Sequence, residues 1–86
     1  MGITNMGIAE ELIIGTQNSR RFLLGGEAVR FFVVNALRPV WVKTPWAVYP
    51  LLPHEEITIV MPKQVGMCHI SFTCGKSSVD YAYYVS

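Results

Sequence analysis

Strict alternation runs through residues 68–74, CHISFTC, where Cys68, Ile70, Phe72 and Cys74 interleave with His69, Ser71 and Thr73. A period of two predicts a half-buried β-strand. EITIVM (56–61) repeats it, with Ile57, Ile59 and Met61 set against Thr58 and Val60. VDYAYYV (79–85) does so again, with Val79, Tyr81, Tyr83 and Val85 on one face, and GKSS (75–78) reads as a tight turn between the last two strands. VRFFVVN (29–35) is β-branched and aromatic. Phe31 and Val33 point one way from it and Phe32 and Val34 the other, which predicts that both faces are buried, one in the core and one against a second layer or a neighbouring subunit. ALRP then leads into VWVK (40–43), and Asn35 and Pro39 punctuate a hairpin-like connection. RRFLL (20–24), ahead of Gly25-Gly26, predicts another short strand. IAEELII (8–14) pulls two ways: Ala-Glu-Glu-Leu favours helix, whereas Ile13, Ile14 and the flanking glycines favour the strand expected here. The fold class is therefore all-β, a small antiparallel β-sandwich or partly closed barrel of about 6–8 short strands. One domain spans residues 1–86, with residues 1–7 expected to be a flexible or partner-docked N-terminal segment.

One segment does not fit the alternation. TPWAVYPLLP (44–53) carries no charge and three prolines. Pro45, Pro50 and Pro53 lack a backbone donor and keep the segment from acting as a central strand. They also stiffen it, so less entropy is lost on docking. Trp46 and Tyr49 are residue types that anchor interfaces. Two readings stay open: a docking element for a partner, or a loop folded back over the domain's own core.

Composition bears on that choice. The chain is 51% apolar and only 15% charged, against about a quarter charged in ordinary globular chains. A small domain has a high surface-to-volume ratio and needs more polar surface, so the surplus apolar area predicts a protein–protein interface. The interface residues expected are Phe32, Trp41, Trp46, Tyr49, Leu51 and Leu52. Net charge is +1, and no block of like charge marks a nucleic-acid or anionic-membrane partner. No run of about 18 apolar residues spans a bilayer. The first residues lack a basic stretch leading into an apolar one, so no secretory signal is expected. Met6 stands where a myristoylation signal has Ser or Thr. In an extended strand, Cys68 and Cys74 lie about 20 Å apart, too far for a disulfide. They are expected to be reduced, buried and structural, as suits a reducing cytoplasm.

Catalytic chemistry finds no foothold. PHEE (53–56) lacks the second histidine of HExxH, and His54 reads as part of a surface turn. His69 has no carboxylate near it in sequence, and Cys68 and Cys74 face away from it, which makes a shared metal site geometrically poor. Glu10-Glu11 and Glu55-Glu56 are adjacent pairs that splay to opposite faces of a strand. No catalytic, metal or cofactor site is expected, and the chain reads as non-enzymatic. The aromatics of DYAYY could stack bases, but no Lys or Arg is interleaved with them, so Tyr81 and Tyr83 read as core.

From about residue 20 the layout resembles the small β-sandwich structural proteins of tailed bacteriophages, which serve as capsid decoration or cement, head-fibre bases or tail adaptors. The elements that carry the resemblance are RRFLL, FFVVN, PVWV, LLPHEEITI and CHISFTCGKSSVDYAYYV. His54 departs from the pattern, standing where a glycine is common before the glutamate. The resemblance implies a virion component made in the host cytoplasm. It would bind a major capsid or other virion protein and its own copies, three being favoured, and neither nucleic acid nor membrane. The alternatives are a tail or tail-fibre adaptor and a small carbohydrate- or receptor-binding β-module.

Overall fold

The computed structural model describes residues 12–35 and 38–86, apart from the Asn35 side chain. Within them the chain forms β1 (Ile13–Thr16), β2 (Phe22–Leu23), β3 (Ala28–Asn35), β4 (Val40–Lys43), β5 (Val48–Leu51), β6 (Glu56–Val60), β7 (Gly66–Cys74) and β8 (Ser77–Val85). A three-stranded sheet runs β1-β3-β6 and a five-stranded sheet runs β2-β8-β7-β4-β5. Neither closes on itself, so the fold is a β-sandwich, not a barrel. The expectations for residues 1–7 and for 8–11 lie outside the described residues.

The alternating sequences behave as their period demands. Cys68, Ile70, Phe72 and Cys74 are buried, while His69 and Thr73 are exposed. Both thiols are free, and burial pushes the Cys68 thiol above its ordinary pKa. β7 and β8 pair from Gly66↔Val85 to Cys74↔Ser77, leaving Gly75 and Lys76 as a two-residue loop. Gly75 takes φ 60°, as the first position of a primed hairpin turn requires.

Phe31 is the hub between the layers. Its ring centroid lies 5.0 Å from Phe72, 5.3 Å from Tyr81 and 6.3 Å from Tyr83. Val29, Phe31, Val40, Val42, Ile70, Phe72 and Tyr83 have no measurable exposure. The Tyr81 hydroxyl leaves the five-stranded sheet to donate to the Ile14 carbonyl at 2.9 Å. The Tyr83 hydroxyl is buried and makes no hydrogen bond of good geometry; burial raises its pKa, and the Thr16 side chain opposes part of that rise. These two tyrosines should therefore respond oppositely to loss of the oxygen. Tyr81→Phe should cost about 1 kcal/mol, whereas Tyr83→Phe should be neutral or stabilising by up to about 1 kcal/mol, because it removes an unsatisfied buried group. Urea unfolding of the two variants reads the difference, and a larger loss for Tyr83→Phe would contradict it.

Several expectations need correction. The connection after β3 is not a hairpin: β1 and β6 occupy both edges of β3, so the chain must cross to the other sheet before β4. The strand expected at 20–24 shrinks to Phe22–Leu23 and pairs parallel with β8, so the sandwich is not wholly antiparallel. The glycine pair ends it, and the Leu24 amide turns away to donate to Glu27 Oε2 at 2.7 Å. Among the described residues no element packs over the second face of β3, so no second layer covers it there. Val34 is 50% exposed, and Phe32 is half-buried, its ring filling the space where a side chain on the cross-strand Gly15 would stand. An aromatic laid over a glycine in this way covers bare backbone.

The proline-rich segment is also a strand. β5 pairs antiparallel with β4, Trp41 opposite Pro50 and Val42 opposite Tyr49. The Thr44 amide donates to the Ala47 carbonyl at 2.9 Å, which makes 44 and 47 a hydrogen-bonded pair. Antiparallel pairs alternate, so 41 and 50 are a non-hydrogen-bonded pair, and the backbone nitrogen of Pro50 faces solvent. Proline there costs the ladder nothing and removes a donor from the sheet's outer edge.

Candidate functional site

Thr44 builds the tip of the β4–β5 hairpin. Its hydroxyl donates to the Ala47 carbonyl at 2.9 Å and accepts from the amides of Ala47 and Trp46 at 3.0 and 3.3 Å. Such a side-chain turn, with Pro45 fixing φ inside it, holds Trp46 out from the sheet. The Trp46 indole N–H then donates to the Tyr49 hydroxyl at 3.0 Å, which sets the ring as a wall.

Two hollows lie on either side of that wall. One, of about 450 Å³, is lined by Pro45, Trp46, Pro62, Gln64, Val65, Gly66, Met67 and Cys68. The other, of about 420 Å³, lies between Trp46 and Tyr49 and the β6 residues Ile57, Thr58, Ile59 and Val60. Val65 is 72% exposed, Met67 59%, Val60 56% and Trp46 46%, so the flank is apolar and, among the described residues, uncovered.

The residues expected to share an interface divide among different surfaces. Trp46 and Tyr49 flank the seam between β5 and β6, and Leu52 sits exposed on the turn at its end. Leu51 must be removed from the set: it is 2% exposed and belongs to the core, because alternation along β5 turns it inward while Pro50 faces out. Trp41 stands on the outer face of the five-stranded sheet, and Phe32 on the outer face of the other.

At the turn between β5 and β6, the Glu55 amide donates to the Leu52 carbonyl at 3.1 Å, and His54 takes φ 67°. Proline followed by a left-handed residue makes a type II turn, where glycine is the preferred occupant. His54→Gly should stabilise the domain by about 0.5–1 kcal/mol, the relief of left-handed strain less the added chain entropy. A thermal melt checks this; a lowered midpoint would count against the turn assignment.

The sheet also assembles a polar cluster that sequence distance conceals. β7 and β8 place Ser71 opposite Asp80. The Ser71 hydroxyl donates to Asp80 Oδ1 at 2.8 Å, and His69 Nδ1 lies 3.2 Å from Oδ2. The Ser71 hydrogen bond, then His69, holds the Asp80 carboxyl below its ordinary pKa. The carboxylate bridges the two, so the imidazole is not the serine's base and the nucleophile-activating order is missing. A cross-strand register of two long strands was the only signal that could have revealed this cluster. The same outer face carries Trp41, 54% exposed, with Thr73 opposite it and Lys43 opposite Ser71. A second polar group lies on and beside the other sheet: Arg30 Nε of β3 pairs with Glu56 of β6 at 3.2 Å, and Arg20 pairs with Glu27 between the loops that flank β2. Among the described residues, no cluster of His, Cys, Asp and Glu is arranged to hold a metal ion.

The chain matches no protein-family model and none of the curated proteins.

Proposed function

We propose that this chain is a non-enzymatic structural subunit that works by protein–protein contact, a bacteriophage virion protein of the capsid-decoration or cement type. It binds the shell and further copies of itself. The observation that supports this reading is the uncovered apolar flank around Trp46, Val65 and Met67 in a chain with so few charges. An isolated domain gains nothing from such surface, whereas a partner buries it. The phage setting rests on the resemblance in strands and turns. The decisive experiment mixes the recombinant chain with shells of its phage assembled without it. Saturable co-sedimentation and added density on the shell are expected; no binding at micromolar concentration overturns the reading.

A second reading has one observation of its own. The outer face of the five-stranded sheet sets exposed Trp41 beside Thr73, Lys43, Ser71 and Asp80, an aromatic platform next to hydrogen-bonding side chains, as a saccharide site requires. The proline segment lacks such polar neighbours, but this sheet face has them. A glycan array gives hits sensitive to Trp41→Ala if this reading holds and none if it does not.

A further inference from the structure

Among the described residues four strand edges bound the two sheets, and three are guarded. β1 has its Ile14 carbonyl taken by Tyr81. β2 is only two residues long. β5 carries Pro50 with its nitrogen facing out. β6 has none of these defences: five residues without proline, lysine or irregular register. The Met61 amide donates to the Glu27 carbonyl at 2.8 Å, and counting back along the alternation turns the amides and carbonyls of Thr58 and Val60 away from β3. No described strand pairs on that side.

The geometry points to β6 as an acceptor edge for one extended segment of a partner polypeptide, added antiparallel as a fourth strand of the smaller sheet. Outward backbone groups repeating every second residue are matched by another extended backbone. The space beside them is shaped for one. β7 and β8 lie over β3 and β1, as the contacts of Phe31 with Phe72 and of Tyr81 with Ile14 require, so β5 overhangs β6 and roofs the groove of about 420 Å³. A fourth strand would lie beneath that overhang. A second copy presenting its own β6 would bring its own overhang into the same space, which excludes a two-fold β6–β6 pairing. Side chains opposite Ile57 and Ile59 would enter the groove against Tyr49 and Trp46 and must be apolar; those opposite Thr58 and Val60 face solvent. Charge sets the direction. Glu55 lies just before β6 and Lys63 beyond its end, Glu56 being already paired with Arg30, so an antiparallel segment suits a basic C-terminal end and an acidic N-terminal end. The inference stands whether or not the partner is a virion protein.

The test uses the whole chain and an acetylated, amidated peptide, Glu-Ser-Thr-Val-Thr-Val-Lys. Hydrogen exchange by NMR should show the Thr58 and Val60 amides slowed on titration, while amides of β1 and β5 are unaffected. Methylating the backbone nitrogens of the peptide's two threonines should weaken binding at least about tenfold, because two ladder bonds are lost. Thr58→Pro, which leaves the β3 ladder intact, should do the same. No protection at millimolar peptide overturns the inference. Equal binding of the methylated peptide also overturns it, since the groove would then be reading side chains alone. Loss of shell binding with peptide binding intact would strike the virion reading instead.

Discussion

Phe31→Ala should leave little or no folded protein at 37 °C. The ring is fully buried and meets Phe72, Tyr81 and Tyr83 across the sandwich. Truncating a buried Phe costs about 3–5 kcal/mol, a large share of the 5–15 kcal/mol or so available to a small domain. Phe32→Ala, one residue along, should cost well under half as much, because Phe32 is half-buried on the open face and covers Gly15. Urea unfolding of the pair measures the contrast. Comparable losses would mean that the outer face of β3 is covered in solution, as it would be if copies associate there.

Trp46→Ala should weaken attachment to the partner about thirtyfold or more while leaving the free domain's melting midpoint nearly unchanged. An aromatic anchor lost from an interface costs roughly 2–4 kcal/mol, and Trp46, held out by the Thr44 turn, is 46% exposed in the single chain. Tyr49 differs: it is half-buried against the core, so Tyr49→Ala should lower both binding and the midpoint. Thermal melts beside shell co-sedimentation separate the two effects. Unchanged binding for Trp46→Ala with a lowered midpoint would make the segment a cap on its own core and remove it as the docking element.

The period of two was enough to place β6, β7 and β8 and to name their inward residues, because those strands each have one wet face. It was weaker wherever an element is defined by what lies beside it. The prolines of 44–53 say that the segment cannot be a central strand, and β5 is an edge. That Pro50 faces outward depends on the hydrogen-bonding parity set by Thr44 and Ala47, which composition does not reveal. The same holds for Leu51, whose inward turn follows from its register with Val40. Phe32 and Val34 carried an apolar signal that fits a covered face equally well whether the cover is another layer or another molecule. The Ser71–Asp80–His69 cluster depends on which residues β7 and β8 bring opposite each other.

The Tyr81 hydroxyl reaches Ile14 across 67 positions of sequence, and among the described residues β2 pairs only with the parallel strand β8. The strands that precede β8 pair β1 with β3, but they cannot cap the outward Ile14 carbonyl or seat β2 by themselves. Such distant pairings are entropically costly to close and repay that cost only when nearly everything else is in place, so folding should be slow for the chain's size and single-step. Until β8 docks, the alternating apolar faces of β6 and β7 stand open together, and the nascent domain is most exposed to self-aggregation during that interval.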